Sequence, residues 1–134
     1  MTSLVYASRA NNIDERKISD ILEKARANNA KLDVSGVLLF NSAYFLQCLE
    51  GSRESVNELY QKILNDDRHS APLILDYRSI SERDYSQWSM GYIGESVRFE
   101  NEVLRFSNSR RFQPYQMAGD GARAFLKAVA SSCA

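Results

Sequence analysis

The sequence predicts an α+β fold: a five-stranded mixed sheet with two helices on one face and further helices at the C-terminal end. Three observations lead there. Apolar residues alternate in five short stretches that suit pleated, half-buried strands. In two longer stretches between them the apolar residues recur at i, i+3, i+4 and i+7, the period of an amphipathic helix. The order of the two kinds is strand, helix, strand, strand, helix, strand, strand, a βαββαβ core of ferredoxin-like type with one strand added.

The first strand runs over Ser3 to Arg9, with Leu4, Tyr6 and Ser8 on one face and Val5 and Ala7 on the other. From about Asp14 to Asn28 the period becomes helical, with Ile18, Ile21, Leu22 and Ala25 as its apolar stripe. Carrying the stripe onward brings Asn28 and Asn29 to the C-terminal end of the buried side, where carboxamides can cap the helix or meet a ligand. Val34 to Phe40 and Tyr44 to Glu50 flank the polar tip Asn41-Ser42 and predict an antiparallel hairpin. Phe45, Gln47 and Leu49 share one face of its second strand, and Tyr44, Leu46 and Cys48 the other, so this strand is expected to be central and covered on both sides. Gln47 is then a buried amide that must find partners.

Ser52 is a plausible N-cap for the second helix, whose core stripe is Val56, Leu59, Tyr60 and Ile63. Lys62, Asp66 and His69 form a polar ridge beside that stripe if the helix runs on, and Pro72 prevents its continuation. Leu73 to Arg78 and about Gln87 to Ile93 predict the last two strands, the final one with Trp88, Met90 and Tyr92 on one face. Residues 95 to 107 predict a helix carrying Val97, Val103, Leu104 and Phe106. Asn108 to Pro114 is a loop, and Ala118 to Ala130 a second, Ala-rich helix. The expected division is a core over 1–94 and a helical extension over 95–134, part of the same domain and packed on the bare face of the sheet.

A length of 134 residues fits one domain. Seventeen Lys+Arg balance 17 Asp+Glu, which removes the charge footprint of a general nucleic-acid binder and of a polybasic membrane anchor. Cys48 and Cys133 are too few for a disulfide framework or a four-cysteine zinc site, and the single His69 leaves no His-rich metal site. No metal is expected. The longest apolar region, Val34 to Leu49, is broken by Asn41, Ser42 and Gln47, so no membrane span is expected. The N-terminus lacks a basic segment followed by an apolar run, so no signal peptide is read and the cytoplasm is the expected location.

Hydrolytic chemistry is poorly supported. A catalytic triad or dyad would need His69, and there is no G-x-S-x-G elbow. No Walker loop or G-x-G-x-x-G is present. What stands out is Tyr6 on the first strand and Gln47 on the central one. In a ferredoxin-like sheet these strands are neighbours, and both helices cover the same face, so the two side chains meet below the cleft between the helices. A phenol beside an amide that both donates and accepts is a proton- and electron-transfer pair awaiting an acceptor. On spacing alone, a satisfied core hydrogen bond between them is the favoured reading.

Five stretches shift that balance: LVYASR, ARANNAKLDVSGVLLF, FLQCLEG, DDRH and YSQWSMG, in this order over residues 1 to 93. Together they resemble the BLUF family, blue-light sensors that use flavin. The resemblance implies a ferredoxin-like domain holding oxidised flavin, usually FAD with FMN possible, its ring between the two core helices. Carried over by position, Tyr6 matches the photoactive tyrosine and Gln47 the switching glutamine. Asn29 matches the asparagine that bonds the polar edge of the ring, with Asn28 beside it. Ile21 and Ile63 match the apolar side chains that sandwich the ring. Lys62, Asp66, Arg68 and His69 fall, by a looser match, near the ribityl chain and phosphate. Trp88 and Met90 match the Trp-x-Met pair of the last strand, which can move toward or away from the flavin. Ser8 and Ser35 are further polar pocket positions. The motifs do not cover the last 40 or so residues, which resemble only in kind the C-terminal helices of short members.

The implied function is a blue-light photoreceptor. Excited flavin draws an electron and a proton from Tyr6, directly or through Gln47. The pair recombines with Gln47 left rotated or tautomerised, and stronger hydrogen bonding to the flavin shifts its absorption to the red. The last strand and the C-terminal helices pass the change to a homo-oligomer or a separate downstream signalling protein. Apolar surface at Val97, Phe99, Val103, Leu104 and Phe106 motivates the self-association reading. No substrate is turned over, so the chain is expected not to be an enzyme. The competing readings are a flavin-dependent oxidoreductase on the same pocket and a cofactor-free ferredoxin-like interaction module.

Overall fold

A computed structural model describes residues 1–94 and 98–133. Its sheet has the order β4-β1-β3-β2-β5, built from β1 (Thr2–Ala10), β2 (Ser35–Phe40), β3 (Tyr44–Gly51), β4 (His69–Ser79) and β5 (Gly91–Ile93). The first four strands pair antiparallel and β5 joins β2 in parallel, so the sheet is mixed and β3 is its middle strand. Helices α1 (Glu15–Leu32) and α2 (Arg53–Leu64) cover one face. On the other face lie α3 (Glu100–Phe106), a 3-10 turn at Pro114–Gln116 and α4 (Gly119–Cys133). The α+β ferredoxin-like fold read from the pattern is the observed one.

The alternation along β1 and β3 sorts the core into two layers. Leu4, Tyr6, Phe45 and Leu49 pack with Ile18, Leu22, Val56 and Leu59 from the first two helices. Val5, Ala7, Leu46 and Cys48 pack with Ala122, Phe125, Leu126 and Val129 of α4. A central strand sandwiched this way is mostly apolar on both sides, as β3 is apart from the buried Gln47 and Glu50.

Helix α1 is longer than the sequence predicts. It starts where Asp14 accepts a hydrogen bond from the Lys17 amide, and runs through Leu32 to Asp33, whose φ of 53° puts it in the left-handed region. Asn28 and Asn29 are therefore inside the last turns and do not cap the helix. Helix α2 is shorter. Ser52 caps it by accepting from the Ser55 amide, and it ends at Leu64. The ridge expected from a continued helix does not form: Lys62 is on α2, Asp66 in the following turn, and His69 opens β4. Pro72 lies within β4, which tolerates it as an edge strand.

The last strand also differs. Only Gly91–Ile93 pairs as a strand, so Trp88 and Met90 precede it. The backbone there finds partners off the ladder: the Trp88 amide donates to Tyr85 O (3.0 Å), and Trp88 O accepts from the Gly36 amide (3.1 Å). Trp88 and Met90 consequently do not share a face. Met90 packs in the α1/α2 layer, whereas Trp88 packs against the α4 layer and stacks on Tyr85 (centroids 6.1 Å apart, planes at 17°). Gly91 makes this seat, since a Cβ there would come within 2.2 Å of the indole.

In the extension, Phe99 and Val103 are buried against Phe112 and Phe125 of this same chain. Of the apolar residues that motivate self-association, Leu104 is exposed, Phe106 is half-buried and Val97 lies outside the described residues. Helix α4 is tied down by polar contacts as well. Arg123 bonds Asp76 (2.8 Å through Nε) and Ser3 Oγ (2.7 Å), and Arg78 bridges Asp76 and Asp120. No described helix is long and apolar enough to cross a membrane.

Candidate functional site

The α1/α2 face of the sheet opens into a cleft holding about 800 Å³ of free space, counted out to its mouth. Tyr6 and Gln47 stand at its floor because they are direct partners across the β1–β3 ladder, so their side chains point the same way. Both are buried. The Tyr6 hydroxyl donates to Gln47 Oε1, and Gln47 Nε2 donates to Met90 Sδ at 3.4 Å. A phenol, an amide and a thioether thus form one chain from β1 through β3 to the segment preceding β5. Burial, followed by the nearby Tyr60 and Asp66, pushes the Tyr6 phenol well above the ordinary tyrosine range, so it keeps its proton at neutral pH.

Ile21 on α1 and Ile63 on α2 give the cleft aliphatic walls, backed by Ala25, Leu38, Leu49 and Leu59. Asn28 and Asn29 reach it from the last turns of α1. Asn29 is buried and donates through Nδ2 to Ser89 O (2.5 Å), which ties the helix to the segment carrying Met90. Arg26 does the same, donating to Met90 O at 3.1 Å. Lys24, Lys62 and Arg68 bring positive charge to the cleft. Arg68 also pairs with Asp66 and Asp20 (2.7 Å to the latter), and its hydrogen bond holds the Asp66 carboxyl below the usual carboxylate range against the opposing effect of burial.

His69 lines the cleft between Tyr6 and Phe45, with ring centroids 6.4 and 6.3 Å away. Its Nε2 meets Ile63 O at 2.6 Å, while its buried Nδ1 has no hydrogen-bond partner among the described residues. Ser8 Oγ, on the same face of β1, is likewise buried and without a partner among them.

Of the fourteen residues expected at the site, ten line this one cleft, Met90 reaches it through Gln47, and Ser8 shares the Tyr6 face of β1 without being among the lining residues. Trp88 does not reach the cleft. Ser35 does not either; it bonds Glu50 and Arg83, on the α4 side of the sheet. Sequence reasoning missed Lys24, for which the helical stripe gives no signal, and treated Ala25, Phe45, Leu49 and Leu59 as core. It also missed Glu50, although an acidic residue alternating with Leu46 and Cys48 on a central strand marks a buried carboxyl. Cys48 is no reactive thiol: burial pushes it up to about 12, and it packs on the far face.

Residues 1–91 match the family described as BLUF, sensors of blue-light using FAD. The chain belongs to the BLUF family. Similar proteins include the photoactivated adenylate cyclase subunit beta of Euglena longa, 35% identical over 92 residues (67% of this chain and 11% of the relative). The blue light- and temperature-regulated antirepressor BluF of Escherichia coli K12 is 38% identical over 80 residues (58% of this chain and 20% of the relative). The chain thus spans a fifth or less of these two relatives. Among solved structures, BlsA in its photo-activated state superposes with a TM-score of 0.86 at 33% identity, covering 96% of this chain and 93% of that one. The family is one of blue-light sensors that use flavin.

The cleft fits that cofactor. A flat heterocycle needs two apolar walls, polar groups at its edge and cations for its phosphate. Among the lining residues, Ile21 and Ile63, then Gln47, Asn28 and Asn29, then Lys24, Lys62 and Arg68 are of the types that could meet these needs in turn. The unpartnered His69 Nδ1 adds a polar atom with unused hydrogen-bonding capacity in the same cleft.

Proposed function

We propose that this BLUF chain is a blue-light photoreceptor in which Tyr6 is the light-driven electron and proton donor and Gln47 the switch, with Met90 as the first group to sense it. The observation that carries this reading is the continuous chain from the Tyr6 hydroxyl through the Gln47 amide to Met90 Sδ. Ile21 and Ile63 would hold the ring, Asn28 and Asn29 its polar edge, and Lys24, Lys62 and Arg68 the phosphate end. His69 stands beside Tyr6 and Asp66 holds Arg68 in place. We take FAD as the flavin, with FMN the alternative that mass spectrometry of the released chromophore distinguishes.

When bound, the flavin supplies absorption of blue light and, once excited, a strong oxidising pull on a neighbouring phenol. Everything else falls to the chain. Oxidising a phenol acidifies its O–H, and Gln47 Oε1 already accepts a hydrogen bond from the Tyr6 hydroxyl. A buried amide left unpaired costs about 1–3 kcal/mol, so Gln47 has few satisfied arrangements to move between. Turning it end for end makes Tyr6 Oη the acceptor and removes the N–H···S bond to Met90. The segment before β5 then loses a tie to the cleft, and Trp88, on the α4 side of that segment, carries the change to the extension. In this reading the chain turns over no substrate and acts as a sensor rather than an enzyme. Its output is a homo-oligomer or a separate signalling protein, and its location the cytoplasm.

The test is to purify the chain in darkness, load it with flavin and record the visible spectrum before and after blue light. The reading requires a yellow protein whose bands move to the red and return in the dark. Flavin reduction driven by NAD(P)H would support the oxidoreductase instead, and a chain that takes up no flavin the interaction module.

A further inference from the structure

The segment that carries Trp88 is held at its other end by a buried carboxyl. Glu50 lies on β3, three residues beyond Gln47 and on the opposite face, and is fully buried. Its Oε2 accepts from the Asp84 amide (2.7 Å), and its Oε1 from the Tyr85 amide (2.9 Å) and from Ser35 Oγ (3.1 Å). Arg83 reinforces the clamp, donating to Ser35 Oγ (3.0 Å), to Glu50 O (3.3 Å) and to Asp33 O (2.7 Å). One strand therefore grips both ends of residues 84–90, through Glu50 from the α4 side and through Gln47 from the cleft side. Between the grips, Trp88 stacks on Tyr85, and Lys127 of α4 pairs with Asp84 at 3.3 Å.

We propose that Glu50 is a positioning residue, the fixed end of a pivot that converts a change at Gln47 into movement of Trp88 against α4. The proposal rests on Gln47 being the light switch. Loss of the N–H···S bond loosens the Met90 end only, where Asn29 and Arg26 still bond Ser89 O and Met90 O. With Asp84 and Tyr85 still held, the segment cannot follow as a unit, so displacement concentrates at Ser89 and Met90 and turns Trp88 on Tyr85. Without the Glu50 grip both ends yield, and the same change at Gln47 is absorbed before it reaches α4.

Glu50→Gln tests this in the flavin-loaded chain. A carboxamide presents an NH2 in place of one carboxylate oxygen, so it opposes at least one of the donors that Glu50 accepts from. Trp88 is the only tryptophan, and its emission and quenching by acrylamide report the pivot directly. The expected result is an unchanged flavin red shift with loss of the light-minus-dark change in Trp88 fluorescence. A full Trp88 change in Glu50→Gln overturns the pivot, as does a wild-type chain that shifts to the red with no Trp88 change. A wild-type chain with no red shift overturns the switch reading itself. Should the variant fail to fold, hydrogen exchange on the wild type decides. Asp84 and Tyr85 amides equally protected in dark and light, with the change confined to Ser89–Gly91, support the pivot; light-induced loss of protection at Asp84 and Tyr85 overturns it.

Discussion

In the proposed mechanism Gln47 joins the chemistry to the mechanics, because its two amide ends bond to groups on different elements. Removing the amide should therefore separate binding from switching. Gln47→Ala leaves Ile21, Ile63, Asn28 and Asn29 in place, so it is expected to retain flavin and lose the red shift, as read by absorption before and after blue light. Tyr6 carries a second prediction, on stability. Burial raises its pKa in the folded chain, and burial raises that of Tyr85 as well. A folded pKa above the unfolded one means stability that is complete below the ordinary tyrosine pKa of about 10 and is lost as pH rises beyond it, because the unfolded chain then binds fewer protons. Urea midpoints measured from pH 8 to 12 should fall steeply above about pH 10, and Tyr85→Phe should flatten that fall.

At the scale of elements, α4 is the piece whose hold on the sheet can be read most directly. Gly119 at its start passes so close to β4 that a Cβ would come within 2.2 Å of Leu75 O, a backbone atom that cannot move aside. Gly119→Ala is expected to cost about 1–3 kcal/mol in urea unfolding, the usual penalty for overpacking. Asp76 joins α4 to β4 by accepting from Arg123 and Arg78. Burial raises its pKa, but these bonds outweigh it and the carboxyl sits below the usual range. The contribution is present above an unfolded pKa of about 4 and is lost as pH falls through the lower folded value. Asp76→Asn should remove that acid dependence, seen as a flatter stability profile between pH 5 and 2.

The elements themselves were largely legible in the sequence, for a physical reason. Alternation in β1 and β3 and the stripes of α1 and α2 report burial, and burial decides which faces meet. The pairing of Tyr6 with Gln47 followed from strand order alone. The segment before β5 was not legible. Trp88, Met90 and Tyr92 alternate as in a strand, yet Gly36, Arg26 and Asn29 from other elements satisfy its backbone, and long-range bonds of that kind leave no periodic trace. Asn28 and Asn29 looked like a helix end because two carboxamides interrupt the apolar stripe, which Leu32 resumes before the left-handed Asp33 marks the true stop.

Across the whole molecule, a cleft on one face and a helical layer on the other share β3, so what happens at Tyr6 and Gln47 is one strand's thickness from α4. The measurement that bears most directly on this account is the light-minus-dark visible spectrum of Tyr6→Phe beside that of the wild type, both flavin-loaded. Phenylalanine keeps the ring and deletes only the hydroxyl that donates to Gln47. The account predicts a reversible red shift in the wild type and none in the variant; a shift of the same size in Tyr6→Phe would contradict it.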